Sequence, residues 1–128
     1  MLEAGLIGER ELTVTEENTA KTMKSGELDV FATPAMIALM EETAYKSVSG
    51  ELDDGMGSVG TLMNVKHLAA SPVGMHIRCK SELTQVDGRK LVFKVEAYDE
   101  SGLIGEGVHE RFIVDNQKFQ KKADAKMQ

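Results

Sequence analysis

Two hydrophobic periodicities divide the chain. From about Pro34 to Val48 the apolar positions Met36, Ile37, Met40, Ala44 and Val48 keep helical spacing. At ~100° per residue they fall within about 120° of arc, which predicts one helix with one buried stripe. Thr33 is suited to cap that helix, Pro34 sits at the first helical position where its missing N–H costs nothing, and Gly50 supplies a stop. Beyond the Gly-rich turn formed by Asp53, Asp54, Gly55, Met56 and Gly57 the period changes to two. Segments 58–68, 75–86, 90–99 and 103–114 then read as strands. Asp87-Gly88 and Ser101-Gly102 are turn signals between the later strands, while Pro72 and Gly74 break the chain between the first two. Weak alternation over 8–15 predicts an earlier strand, and the polar stretch 16–27 predicts a loop. The expected order is a strand, a helix, then four strands in a meander. A sheet wrapped around one central helix satisfies that order and buries the helix stripe.

With 128 residues the chain has room for one domain, expected to span 1–128, with a core at about 8–114 and a polar tail at 115–128. Eight Met and no Trp predict a core filled by aliphatic and thioether side chains. A net charge of -6 argues against a general nucleic-acid binder, which needs a basic footprint. One cysteine, Cys79, allows no internal disulfide and points to a reducing compartment. No basic start leads into an apolar run, and no apolar run is long enough to span a bilayer. The expectation is a cytoplasmic protein without a membrane partner.

Chemistry is best sought where a polar residue occupies a position that the pattern assigns to the core. Glu41 falls just beyond the apolar stripe, near Ile37 and Val48, whereas Glu42 points to the far side. Such a carboxylate is either partly desolvated, and so suited to acid–base work, or merely reaches solvent at the helix border. His67 shares strand parity with Val59, Thr61, Met63 and Val65 and is expected to face the helix, as a catalytic or as a structural imidazole. Thr33 has a structural role as a cap, yet its hydroxyl also stands at a helix start, where free N–H groups can stabilise an oxyanion. Cys79 lies on the apolar face with Met75 and Ile77, and His76 lies on the polar face with Arg78 and Lys80. Three scattered histidines and one cysteine form no metal-ligand spacing. The lysines of the C-terminal segment (Lys118, Lys121, Lys122, Lys126) read as a solvated helix.

The segments VFATPAMIALMEETA (30–44), GSVGTLMNVKHLAASPVG (57–74) and GEGVHERFIV (105–114) resemble the fluoroacetyl-CoA thioesterase-like branch of the hotdog thioesterases. The resemblance runs in order through roughly 8 to 114. It implies an α+β hotdog fold, an antiparallel sheet wrapped around one long helix, and at least a homodimer or a dimer of dimers with sites at the subunit interface. It also implies hydrolysis of a short- or medium-chain acyl-CoA, with coenzyme A entering as part of the substrate and no separate cofactor. The family's catalytic Thr, Glu and His carry over to Thr33, Glu41 and His67, and a family glycine near the acyl end carries over to Gly60. The specialised fluoroacetyl-CoA enzyme closes its pocket with an aromatic lid. Here residues 16–30 hold no aromatic, and Phe31 alone stands near the helix start as a substrate contact. Fluoroacetyl-CoA selectivity is therefore not expected. The competing reading is a hotdog module that binds acyl-CoA or a related ligand without hydrolysing it. A hotdog hydratase would need an Asp and a His flanking Asn-Pro near the helix entry, which this sequence lacks.

Overall fold

The computed structural model describes residues 2–127, so the two end positions of the expected 1–128 domain lie outside the described residues. Strand β1 covers Ile7–Thr13, helix α1 Thr33–Ser49, β2 Met56–His67, β3 His76–Asp87, β4 Lys90–Asp99, β5 Gly102–Asp115 and helix α2 Asn116–Asp124. One antiparallel sheet holds all five strands in the order β1-β3-β4-β5-β2. The expected four-strand meander is thus corrected to three strands, β3-β4-β5. Strand β2 pairs with β5 instead of β3, at the far edge, and residues 68–75 carry the chain back across to β3.

Helix α1 packs into the concave side of the sheet and touches all five strands, β3 and β1 most extensively. Met36, Met40, Ala44 and Val48 are fully buried there, as the periodicity predicts. Ala35, Leu39 and Thr43 widen the stripe, while Ile37 is only half-buried at its margin. Facing them from the strands are Ile77, Cys79, Leu83, Leu91, Phe93, Val95 and Ala97. Burial pushes the Cys79 thiol up to about 11, with a hydrogen bond to Thr43 acting in the opposite sense. Thr43 itself donates to the Leu39 carbonyl at 2.6 Å, so the helix absorbs its one buried hydroxyl.

The segment that crosses from β2 to β3 also fixes the entry to α1. Ser71 donates to Asp99 Oδ2 at 2.7 Å, and its carbonyl accepts the Phe31 N–H at 2.8 Å. The Ala32 N–H in turn donates to the Asn18 carbonyl at 2.9 Å. Two separate stretches of chain therefore hold Phe31 and Ala32, and the helix begins one residue earlier than the sequence predicts. Ala32 is the N-cap residue and makes no side-chain cap bond, so Thr33 lies inside the first turn. The expected capping role of Thr33 is corrected, and its hydroxyl is free for another partner.

Two glycines let β5 lie close to its neighbours. A Cβ at Gly105 would meet Met36 Sδ at 2.5 Å, and a Cβ at Gly107 would run into the Asn64 carbonyl oxygen and meet Val65 Cα at 2.6 Å. Backbone cannot step aside as a flexible side chain can. Gly107→Ala is therefore expected to destabilise the protein by about 1–3 kcal/mol in urea unfolding, toward the upper end. A change below about 0.5 kcal/mol, the range of an ordinary surface substitution, would mean that β2 and β5 are not in this close register.

Candidate active site

Thr33 leaves the first turn of α1 pointing at the end of β2. Its Oγ1 lies 2.7 Å from His67 Nδ1, a hydrogen bond between positions 34 residues apart in sequence. The Phe31 ring stands edge-on to the imidazole, with centroids 6.5 Å apart and planes at 81°. Burial holds His67 below the ordinary imidazole range, while the nearby Ala69 backbone acts in the opposite, smaller sense. Its Nε2 is buried, yet makes no hydrogen bond of standard geometry among the described residues. Thr33, His67 and Phe31 line a cavity of about 280 Å³ together with Leu68, Ala69 and Ala70. The site thus offers a hydroxyl and a neutral imidazole beside a helix start whose N-cap side chain makes no bond.

Glu41 occupies a different place. It lies eight residues further along α1, about 12 Å along the helix axis. There it lines a second cavity of about 210 Å³ with Gly60, Thr61, Leu62, Met63 and His109. A Cβ at Gly60 would sit 2.9 Å from Glu41 Oε2, so the missing side chain is what gives the carboxylate its room. Glu42 points away, paired with Arg10 at 3.1 Å and Lys46 at 3.2 Å on the surface, as expected.

A bulge explains why Gly60 faces inward. The β2–β5 register slips between Gly60 and Leu62, leaving Thr61 as the extra residue. The expected shared face of Val59, Thr61, Met63, Val65 and His67 is corrected accordingly: Met63, Val65 and His67 keep it, while Ser58 and Gly60 replace Val59 and Thr61. Gly60 pairs with Arg111, which is buried, and Val59 pairs with the exposed Phe112.

Arg111 and His109 are the residues that sequence reasoning passed over. The Arg111 side chain is 8% exposed and lies 3.9 Å from Glu41 Oε2 through Nη1. Its Nε donates to Ser58 Oγ at 2.8 Å and its Nη2 to the Ser58 carbonyl at 2.7 Å. The guanidinium also lies 5.6 Å over the Tyr45 ring. Burial weakens its hold on the proton, and Glu41 and Tyr45 oppose that effect. His109 is 1% exposed, stacked on Phe93, with Nδ1 at 2.8 Å from the Leu62 carbonyl. The signal was present in strand parity: Gly105, Gly107, His109 and Arg111 alternate along one face. A cation two residues from a histidine on a core-facing stripe is the kind of misplaced polarity that singled out Glu41. His76, by contrast, is exposed and pairs with Glu11, as its parity predicts. Among the described residues no cluster of three or more His, Cys, Asp or Glu forms that could hold a metal ion, and no helix is long and apolar enough to cross a membrane.

The structure therefore brings Thr33, His67 and Phe31 to one end of β2, and Glu41 and Gly60 to a separate cavity seven residues away along the same strand.

Comparison with known proteins places these groups in context. Residues 14–117 match the model of the fluoroacetyl-CoA-specific thioesterase family. The chain is 40% identical over 98 residues to a fluoroacetyl-CoA thioesterase from Streptantibioticus cattleyicolor, covering 77% of this chain and 70% of that protein. A solved structure of a fluoroacetyl-CoA thioesterase superposes with a TM-score of 0.93 at 33% identity over 98% of both chains. A variant of such an enzyme in complex with acetyl-CoA gives 0.94 at 32% identity over 99% of this chain and 100% of that one. A Thermus thermophilus member of the thioesterase superfamily gives 0.89 at 29% identity, covering 98% and 93%.

The half-buried His67 and the buried His109 both hold protons less readily than they do in an unfolded chain, chiefly through desolvation. A depressed imidazole contributes stability that is fully present above its unfolded value of about 6.5 and is lost as pH falls through the folded value. Urea midpoints are expected to fall between about pH 7.5 and pH 5.5, and to fall less in His67→Gln. An equal fall in both proteins would show that His67 titrates as it does in solution.

Proposed function

The chain belongs to the fluoroacetyl-CoA-specific thioesterase family and is a thioester hydrolase acting on acyl-CoA, and from that premise we propose that Thr33, Glu41 and His67 form its catalytic set. The observation that carries this reading is the 2.7 Å bond between Thr33 Oγ1 and His67 Nδ1 at an N-terminus whose cap side chain is silent. Neither the helix nor the strand needs that bond for its own backbone. The thioester carbonyl is taken to lie against the first turn of α1, where N–H groups and the positive end of the helix dipole favour a developing oxyanion. Glu41 either attacks the carbonyl carbon, giving a mixed anhydride and free coenzyme A thiolate, or removes a proton from the water that attacks it. His67 delivers a proton to the leaving thiolate or activates the water, and Thr33 orients the group that His67 serves.

The separation of Glu41 from His67 leads to the second part of the proposal. At about 3.3 Å per residue, Gly60 and His67 lie roughly 23 Å apart along β2. The outer edge of this twelve-residue strand carries no neighbouring strand among the described residues. A long uncovered edge favours pairing with another chain. Antiparallel pairing of two copies about a two-fold axis near Met63 and Asn64 would run His67 of one protomer toward the partner subunit's Gly60. Each site would then take Thr33 and His67 from one chain and the carboxylate from the other, so the enzyme is proposed to work as a homodimer, alone or paired into a dimer of dimers.

For substrate we propose a short- or medium-chain acyl group other than fluoroacetyl. The Phe31 ring, named as a substrate contact, is 1% exposed and packs on His67, so it cannot fold over the cavity as a lid. Gly60 is proposed to leave room for the acyl end beside Glu41.

Thiol release from a panel of acyl-CoA esters, acetyl through decanoyl, tests the reading. Glu41→Ala and His67→Ala are expected to lower kcat/KM by about 10²- to 10⁴-fold while remaining folded. Acyl-CoA bound but not hydrolysed by the unaltered protein would favour a binding module instead. Mixing inactive Thr33→Val with inactive Glu41→Ala protomers tests the shared site. Random exchange should restore about one quarter of full activity, because half the dimers are hybrid and each has one intact site. No recovery after proven exchange would place all three groups in one protomer.

A further inference from the structure

A guanidinium beside a carboxylate ordinarily closes into a direct ion pair, with nitrogen–oxygen distances of about 2.7–2.9 Å. Here Arg111 Nη1 stops 3.9 Å from Glu41 Oε2, although both atoms border the space left by the missing Gly60 side chain. The reason lies behind the guanidinium. Ser58 holds its Nε and Nη2, and Nη1 lies 3.2 Å from His109 Nε2. Arginine has no acceptor, so this last bond requires an unprotonated Nε2. On the other side of the ring the Leu62 carbonyl can only accept, so Nδ1 carries the proton. The two contacts fix one tautomer of a neutral imidazole, and Phe93 stacked at 6.1 Å fixes the plane of the ring.

We propose that His109 is a positioning residue that restrains Arg111 Nη1 from closing on Glu41, and so keeps the carboxylate free to react. The inference rests on the role assigned above to Glu41. The groups facing His109 divide cleanly: Arg111 on β5 and Glu41 on α1 are charged, while β2 presents the Leu62 carbonyl and β4 the Phe93 ring. Burial, the largest influence on His109, keeps it neutral and therefore able to accept. The β2 bulge serves the same end, since the slip after Gly60 accompanies both the Leu62 carbonyl at the imidazole and the glycine beneath the carboxylate.

Two substitutions separate the functions of the two ring nitrogens. His109→Asn keeps a polar group near the Nδ1 position and loses the acceptor for Arg111; His109→Gln places an acceptor near the Nε2 position. In hydrolysis of the acyl-CoA that the unaltered enzyme turns over best, Asn is expected to lower kcat roughly tenfold or more with KM within about threefold. Gln is expected to recover much of that loss. Crystal structures of the same proteins read the cause: Nη1 and Oε2 should reach direct ion-pair contact in the Asn variant and stay apart in the Gln variant. Equal losses in both variants, or a gap that stays open in the Asn variant, would overturn the proposal. If the unaltered protein hydrolyses no ester, the thioesterase role fails, while the ion-pair distances still decide whether His109 restrains Arg111. Should the Asn variant not fold, a long-range proton–nitrogen spectrum of the unaltered protein decides the matter. The Nδ1–H pattern for His109 supports the proposal, and an Nε2–H pattern overturns it.

Discussion

Helix α1 can hide its apolar stripe only inside a sheet that curves around it, and the curvature leaves its mark on every neighbouring element. Met36, Met40, Ala44 and Val48 reach full burial because five strands present small and aliphatic side chains to one cylinder. Losing any one of the large residues would cost about 2–5 kcal/mol, a large part of a small domain's stability. The same demand explains Gly105, whose missing side chain admits Met36. It also sets the boundary of the site: Glu41 sits where the stripe ends, half in contact with the sheet and half outside it.

Strand β2 then acts as the ruler along which the polar groups are spaced. Its end carries His67 to the start of α1, and its bulge at Thr61 turns Ser58 and Gly60 toward Arg111 and Glu41. An unbroken strand would have sent Val59 and Thr61 inward, leaving Arg111 without its anchors and Glu41 against a β-branched wall. One extra residue thus separates an apolar sheet face from a polar one.

Most of the fold was legible because periodicity reports burial directly. The α1 stripe and the later strand limits agree with the pattern to within two residues. What periodicity could not reveal were features set by distant contacts. The β2–β5 pairing depends on a crossing segment whose anchor is a bond from Ser71 to Asp99, 28 residues on. Thr33 reads as a cap from its neighbours, and only the Phe31–Ser71 and Ala32–Asn18 backbone bonds move the helix start past it. At the candidate site, Thr33, Glu41 and His67 stood out on physical grounds and by resemblance. The parity of Arg111 and His109 was legible in the same way, but their partners were not, because a bulge on the opposite strand, silent in a one-dimensional pattern, decides what they meet.

Cys79 has a bearing on the chemistry despite being remote from it. With the side chain wholly enclosed and its proton held up to about 11, the thiolate fraction near neutral pH is roughly one part in ten thousand. A thioesterase releases a thiol at every turnover, and that product cycles with its own disulfide. Mixed-disulfide capture needs an accessible thiolate on the protein, and this chain offers none. The enzyme is therefore insulated from the redox state of the coenzyme it liberates, and oxidised coenzyme A has no covalent hold on it.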